Sequence, residues 1–313
     1  MSNANTPFVL PRFGEFLPTR VIPGPMEGVT EGEFLKILTR HQWIRAWWTP
    51  FLRISVAVPR AARLRDWLAQ YNATGLPILV QLMGTDAPRI AKAAAGLRKL
   101  GARGIDLNCA CPSQIVVGNG AGGAQLKYPE WIAEAVSALK SAVDCPVGVK
   151  VRMGFDSPQE FHARIAPALR EAQPDFVTVH FRTVQELYRP IPDGLERLKN
   201  ARKELQDIPL VGSGDLFTPE DAINMFQKCG MDAVAPARGL LKNPRLVQDI
   251  EKRLNGEDPP SWSTQEKYAL LQEFQTAGTH LGFYLQMAAN LFGRDSQQFK
   301  NIVQQMPRPS QRP

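Results

Sequence analysis

Only four cysteines occur in 313 residues, and two of them, Cys109 and Cys111, stand one residue apart. That is too few for a disulfide framework at this size, so reduced thiols in a cytoplasmic protein are expected. Four histidines and no Cys/His cluster leave a Cys-x-Cys metal site two ligands short, and no metal is expected. No stretch approaches the roughly 20 apolar residues of a membrane span. Residues 1–7 lack a basic start followed by an apolar run, so no secretory signal is read there. A disordered chain is excluded by 44% hydrophobic and 21% charged residues. The length suits one larger domain and a smaller second unit, expected to be monomeric.

Acids are missing from one long segment. Between Lys36 and Arg65 there are seven bases (Lys36, Arg40, Arg45, Arg53, Arg60, Arg63, Arg65) and no Asp or Glu. Trp43, Trp47, Trp48 and Phe51 lie among them. Cations neutralise phosphates and aromatic faces stack on bases, so this mixture suits RNA. The other open reading is solvated arginine on helix faces with tryptophan in the core. The net charge of +7 favours polyanions only weakly. Residues 256–313 are neutral, with five acids against five bases.

What is present is a regular alternation. Short β-branched runs at 20–26, 45–50, 77–83, 104–108, 147–152, 176–181, 209–214 and 233–236 read as strands. Helical spacing fills 86–100, 130–143, 158–171 and 218–228, the last opened by Thr218-Pro219. Eight strands, each able to be followed by a helix, predict a (β/α)8 barrel over a doubly wound open sheet. Polar groups recur at the strands' C-terminal ends, where barrels assemble sites: Glu27, Gln81, Asn108 with Cys111, Lys150, His180, Asp215 and Arg238. Residues 256–261, rich in Pro and Gly, read as a linker. The expected division is an N-terminal extension at 1–18, a catalytic barrel at 19–255, a small C-terminal helical domain at 262–306 and a disordered tail at 307–313. The C-terminal helices are expected to break near 280–282.

The segment Asn108-Cys-Ala-Cys-Pro-Ser-Gln-Ile-Val-Val-Gly-Asn-Gly-Ala-Gly-Gly123 follows the fourth strand directly. A thiol on a Pro- and Gly-rich loop there can reach a ligand, and its glycines permit close approach. With an ordinary pKa near 8.5 it is mostly protonated at neutral pH and can act as a general acid. A buried inert cysteine is the competing reading.

This segment resembles the signature of the tRNA-dihydrouridine synthases, most closely their bacterial C-type subgroup. Six further stretches are similar to the family's motifs, in family order: Pro25-Met-Glu-Gly-Val-Thr30, Val80-Gln-Leu-Met-Gly84, Val149-Lys-Val-Arg-Met-Gly154, Val179-His-Phe-Arg-Thr183, Val211-Gly-Ser-Gly-Asp215 and Ala237-Arg-Gly239. The resemblance implies NADPH-driven (or NADH-driven) reduction of a tRNA uridine through FMN. Hydride passes from flavin N5 to C6, and Cys111 gives the proton to C5. It implies that Asn108, Arg182 and Thr183 contact the substrate. It implies that Pro25, Met26, Glu27, Gln81, Lys150 and His180 meet the flavin, and that Ser213, Gly214, Asp215, Ala237 and Arg238 hold its phosphate end. C-type likeness points to position 16 of the D-loop.

The sequence departs from the family pattern in named places. Ala110 stands for the usual Gly, Ser213 for Asn, Ala237 for Gly, and Pro50 for Glu in the second-strand region. Phe181 also stands for Gly and is expected to narrow the pocket. A C-terminal helix that carries Arg and Lys in relatives reads here Tyr284-Leu-Gln-Met-Ala-Ala-Asn-Leu-Phe292, without charge. Two alternatives stay open: a flavin barrel acting on a small molecule, and an RNA-binding homologue with weak catalysis.

Overall fold

The computed structural model describes residues 18–306. The expected extension at 1–18, apart from Pro18, and the tail at 307–313 lie outside the described residues.

Parallel strands run in one order around a curled sheet: β1 (Trp47–Trp48), β2 (Leu52–Ile54), β3 (Ile78–Gly84), β4 (Gly104–Cys109), β5 (Val147–Arg152), β6 (Phe176–His180), β7 (Leu210–Ser213) and β8 (Ala233–Val234). Each of β3 to β7 pairs with the next, and both β1 and β2 pair with β3. Helices follow β2 to β8, among them Ala61–Asn72, Ala87–Lys99, Pro129–Ala142, Gly194–Glu204 and Pro219–Cys229. The strands are buried on both faces, so they read as near-continuous apolar runs. Their alternation sorts two cores. Val80, Leu82, Ile105, Leu107, Val149, Val151, Val177 and Val179 face the helices. Ile22, Ala46, Trp48, Leu79, Phe176, Val211, Ala233 and Ala235 fill the barrel. This is the expected TIM-barrel architecture with C-terminal helices after it.

Three predicted strands are reduced at prolines; one of them, 233–236, is only Ala233–Val234, ahead of Pro236. Residues 20–26 make a single bridge, Val21 to Val234, extended by Ile22 N and Gly24 N donating to Val234 O and Pro236 O at 3.1 and 2.7 Å. Pro23 and Pro25 have no N–H with which to continue a ladder. The predicted strand 45–50 stops at Trp48, and the chain resumes pairing as β2 after Pro50. The predicted helix at 158–171 opens as a wide π turn, Phe161–Ile165, before Ala166–Ala172, because Pro167 removes a donor from the α ladder. The predicted helix at 218–228 is Pro219–Cys229, with a capping box between Thr218 and Asp221.

After the linker, helices Thr264–Thr276, Leu281–Phe292 and Gln297–Gln304 pack back on the barrel. His280 caps the second, as the predicted break requires; Gly293, at φ +87°, adds a break that the periodicity did not reveal. The Phe34 ring meets Phe274 and Phe283 at 6.1 and 6.0 Å, and Trp43 meets Trp262 at 5.6 Å. Leu270, Leu271, Phe274 and Met287 thereby join the barrel's outer core. Among the described residues no helix is long and apolar enough to cross a membrane.

Candidate active site

A cavity of about 630 Å³ opens at the C-terminal ends of the strands. Thirteen of the fifteen predicted site residues line it: Pro25, Met26, Glu27, Gln81, Asn108, Cys111, Lys150, His180, Ser213, Gly214, Asp215, Ala237 and Arg238. The other two, Arg182 and Thr183, are absent from its lining. Arg182 is 1% exposed and holds the wall from behind, with Nη1 and Nη2 on the Asp215 carboxylate at 2.9 and 2.5 Å. Thr183 is buried and tied to Glu186. Phe181 does not narrow this cavity either. Its ring turns outward against Gly214, where an added Cβ would come within 2.6 Å of it. The glycine at 214 makes room for the aromatic at 181.

The cysteine loop is shaped by local bonds. Asn108 Oδ1 accepts from the N–H groups of Ala110 and Cys111 at 3.0 and 2.9 Å. Asn108 Nδ2 donates to Gln81 Oε1 at 2.7 Å, and Gln81 Nε2 donates to Asp106 Oδ2 at 2.6 Å. The two loop N–H groups dictate the Asn108 amide orientation. That dictates the Gln81 amide, which then needs a buried acceptor, and Asp106 supplies it. Gly123 N donates to Cys111 O at 2.9 Å. A Cβ at 123 would meet that carbonyl at 2.9 Å and the Val184 side chain at 2.6 Å, so the backbone approach needs glycine.

Burial and charge set the protonation states. Burial pushes the Cys111 thiol above its ordinary value; Glu27 adds to this, while the Ser113 backbone, Lys150 and Arg152 counter it. The thiol is therefore protonated at neutral pH. Lys150 is pulled down to about 8 by burial and by Arg152, against the attraction of Asp106. His180 lies well below its usual range, through burial and then Arg152, Lys150, Arg182 and Arg238. It is neutral, and its Nδ1 accepts from Arg182 N at 3.2 Å, which leaves the proton on Nε2. Burial raises Asp106 to about 7, against its bond from Gln81 and the charge of Lys150.

Sequence reasoning passed over Arg152, Asp106 and Gln286. Arg152 lines the cavity two residues beyond Lys150 on the same face of β5, and its Nε donates to Ala110 O at 2.8 Å. That alternation was visible in the Lys-Val-Arg run, as was Asp106 two residues before Asn108. Gln286, from the helix Leu281–Phe292, reaches the mouth through tertiary packing alone.

One corner fits a phosphate. Among the described residues the backbone N–H groups of Gly214, Asp215, Ala237 and Arg238 donate to no protein acceptor. Arg238 stands beside them, with one N–H on Asp215 Oδ1 at 2.7 Å. Asp215 itself sits at φ +45°, a strained backbone held by its two arginines. Gly214 is buried and the other three are half-buried, and backbone donors left unpaired on such a concave wall suit an anion that accepts from them.

Of the two readings left open for the tryptophans of the basic segment, the structure gives the core. Trp47 and Trp48 are fully buried, and Trp43 stacks on His41 and packs against Trp262. β1 carries both tryptophans into the core, one on each face of the sheet, so neither is available to a base.

Comparison with known proteins agrees with this architecture. Residues 21–310 match the family described as dihydrouridine synthase (Dus). A tRNA-dihydrouridine(16) synthase of Vibrio parahaemolyticus is 34% identical over 251 residues, 78% of this chain and 76% of that protein. The protein of the same name from Haemophilus influenzae is 33% identical, over 83% of this chain and 86% of its own length. That from Escherichia coli K12 is 33% identical, over 82% and 81%. Among solved structures, TcOYE with pHBA superposes with a TM-score of 0.56 at 12% identity, covering 76% of this chain and 90% of its own, a likeness of fold. With its barrel, its cysteine loop and a match over residues 21–310, the chain belongs to the dihydrouridine synthase family.

Proposed function

We propose that this protein reduces a uridine of tRNA to 5,6-dihydrouridine, with FMN bound in the cavity and NADPH as the reductant. Its relatives are named for position 16, and we assign the same position to this chain. The observation that carries the reading is the Cys111 thiol, whose pKa burial raises, lining the same cavity as Lys150, His180 and a corner of unpaired N–H donors.

The corner of Gly214, Asp215, Ala237 and Arg238 would hold the FMN phosphate, where barrels commonly bind phosphate. Pro25, Met26, Gln81, Lys150 and His180 would meet the ring. When bound, FMN supplies the hydride that adds to C6 of uracil. Lys150 would balance negative charge on the ring once it is reduced, and the His180 Nε2–H would donate a neutral hydrogen bond beside it. Asn108 keeps one amide N–H beyond its bond to Gln81, with which it orients the uracil. Cys111 Sγ–H then gives its proton to C5. The target base must leave its stack to enter a cavity of this depth.

The test is dihydrouridine formation by purified protein on unmodified tRNA, with FMN and NADPH, followed against pH and mapped by position. The rate is expected to fall on the alkaline side, from about pH 8 as Lys150 loses its proton and further as pH passes the raised value of Cys111. The product is expected at position 16. Protein that takes up no FMN, or a rate that climbs steadily above pH 9, would contradict the reading.

A further inference from the structure

We infer that the loop and helix after β2 form the face on which the tRNA backbone docks, through Arg53, Arg60, Arg63 and Arg65. This rests on the tRNA reading above and names the surface that serves it.

The basic segment divides when folded. Arg40 is paired with Glu273 at 3.2 Å and Arg45 with Glu251 at 3.3 Å, so both are engaged in joining the barrel to later helices. Arg53, Arg60, Arg63 and Arg65 are all exposed, and among the described residues none has an acid within ion-pair distance. Four unpaired guanidinium groups within thirteen residues repel one another, a cost that a polyanion removes.

Their position on the barrel gives the face its meaning. Ile54 packs outward into the helix-facing core. Its neighbour Arg53 therefore points to the other side of β2, level with Met83 of β3. Met83 belongs to the inner cluster with Phe51 and Cys111. Arg53 thus lies on the inner side of β2, beside the Met83 that packs against Phe51 and Cys111 of the cavity wall. Arg60 caps the helix Ala61–Asn72, and Arg63 and Arg65 lie in its opening turns, at the end nearest the cavity. The loop between them is tethered by Arg89, whose Nη1 donates to Ser55 O at 3.1 Å. A guanidinium fork suits phosphate oxygens, and a strip leading to the cavity can hold the strand that flanks an extruded base. The helix Leu281–Phe292, which brings Gln286 to the cavity, carries no charged side chain.

The test compares two full-length variants that each lose four positive charges. One is Arg53→Gln/Arg60→Gln/Arg63→Gln/Arg65→Gln. The other, Lys99→Gln/Arg103→Gln/Lys203→Gln/Lys228→Gln, lies at the far end of the barrel. Binding of an unmodified tRNA transcript is measured across a salt series, with bound FMN as the check on folding. The first variant should bind at least tenfold more weakly at 0.15 M salt, and the slope of log K against log salt should shrink by up to about 3, at roughly 0.7–0.9 per lost phosphate contact. The far-end variant should bind like wild type. Equal weakening in both variants, or an unchanged slope in the first variant, would overturn the inference. Since binding is read without turnover, tRNA held by the four arginines but never reduced would count against the proposed reaction and leave the docking face standing.

Discussion

Asp106 shows how much of the site is set by residues that never need to touch a substrate. Its carboxylate is fully buried and accepts from Gln81, which accepts from Asn108, which holds the cysteine loop. An acceptor at 106 is required for both amides to face as they do. Asp106→Asn keeps an acceptor oxygen and should retain most of the rate of dihydrouridine formation. Asp106→Leu removes it and should lower that rate at least tenfold, with FMN still bound. Equal rates in the two variants would mean that the amides are oriented by something else. The sequence made the outer members of this chain legible, because Gln81 and Asn108 sit in motifs. Asp106 was passed over because an acid inside a parallel strand identifies its partner only when the neighbouring strand is in register, here Gln81 opposite Asp106.

At the scale of elements, the period-two pattern and the β/α alternation carried most of the fold. β3 to β7 fall within about two residues of their expected places. Where reading failed, a proline or a glycine had cut a pairing: Pro23 and Pro25 in the first segment, Pro50 between β1 and β2, Gly293 among the last helices. Such residues are visible, but whether they end an element or only bend it depends on what packs behind. The tryptophan pair had the same ambiguity. Trp47 and Trp48 read equally as RNA platforms or as core, and two buried faces of one strand decide for core. The glycine-rich stretch after Cys111 is the element most sensitive to change. Gly123→Ala would force a methyl against Cys111 O and Val184, an overpacking that costs about 1–3 kcal/mol. It should lower the melting temperature and slow dihydrouridine formation more than it weakens FMN binding. A variant as stable and as active as wild type would show that the loop can shift at little cost.

The whole molecule joins its parts through charge and aromatic contact. Arg40 and His41 meet Glu273, Arg245 lies over the Trp262 ring at 4.5 Å, and Gln286 reaches the cavity mouth from the last helices. The C-terminal helices therefore shape the entrance, although their sequence carries no basic strip. Their role at the mouth could not be read from sequence, because it depends on where a helix lands after a linker. The phosphate corner was legible only as two separate motifs, 211–215 and 237–239; the unpaired donors that make it a corner belong to the folded ends of β7 and β8. Taken together, these features set the Cys111 thiol in the wall of the same cavity as a corner of unpaired backbone donors suited to a phosphate.

The central claim is that Cys111 delivers the proton. The direct measurement is dihydrouridine formed per minute on unmodified tRNA by wild type and by Cys111→Ala, each loaded with FMN and reduced by NADPH. A positioned general acid contributes about 10²–10⁴-fold. The account predicts that wild type forms dihydrouridine and that Cys111→Ala slows it by at least about a hundredfold, while NADPH reduces the flavin at the wild-type rate. Dihydrouridine formed equally fast by both proteins would contradict it.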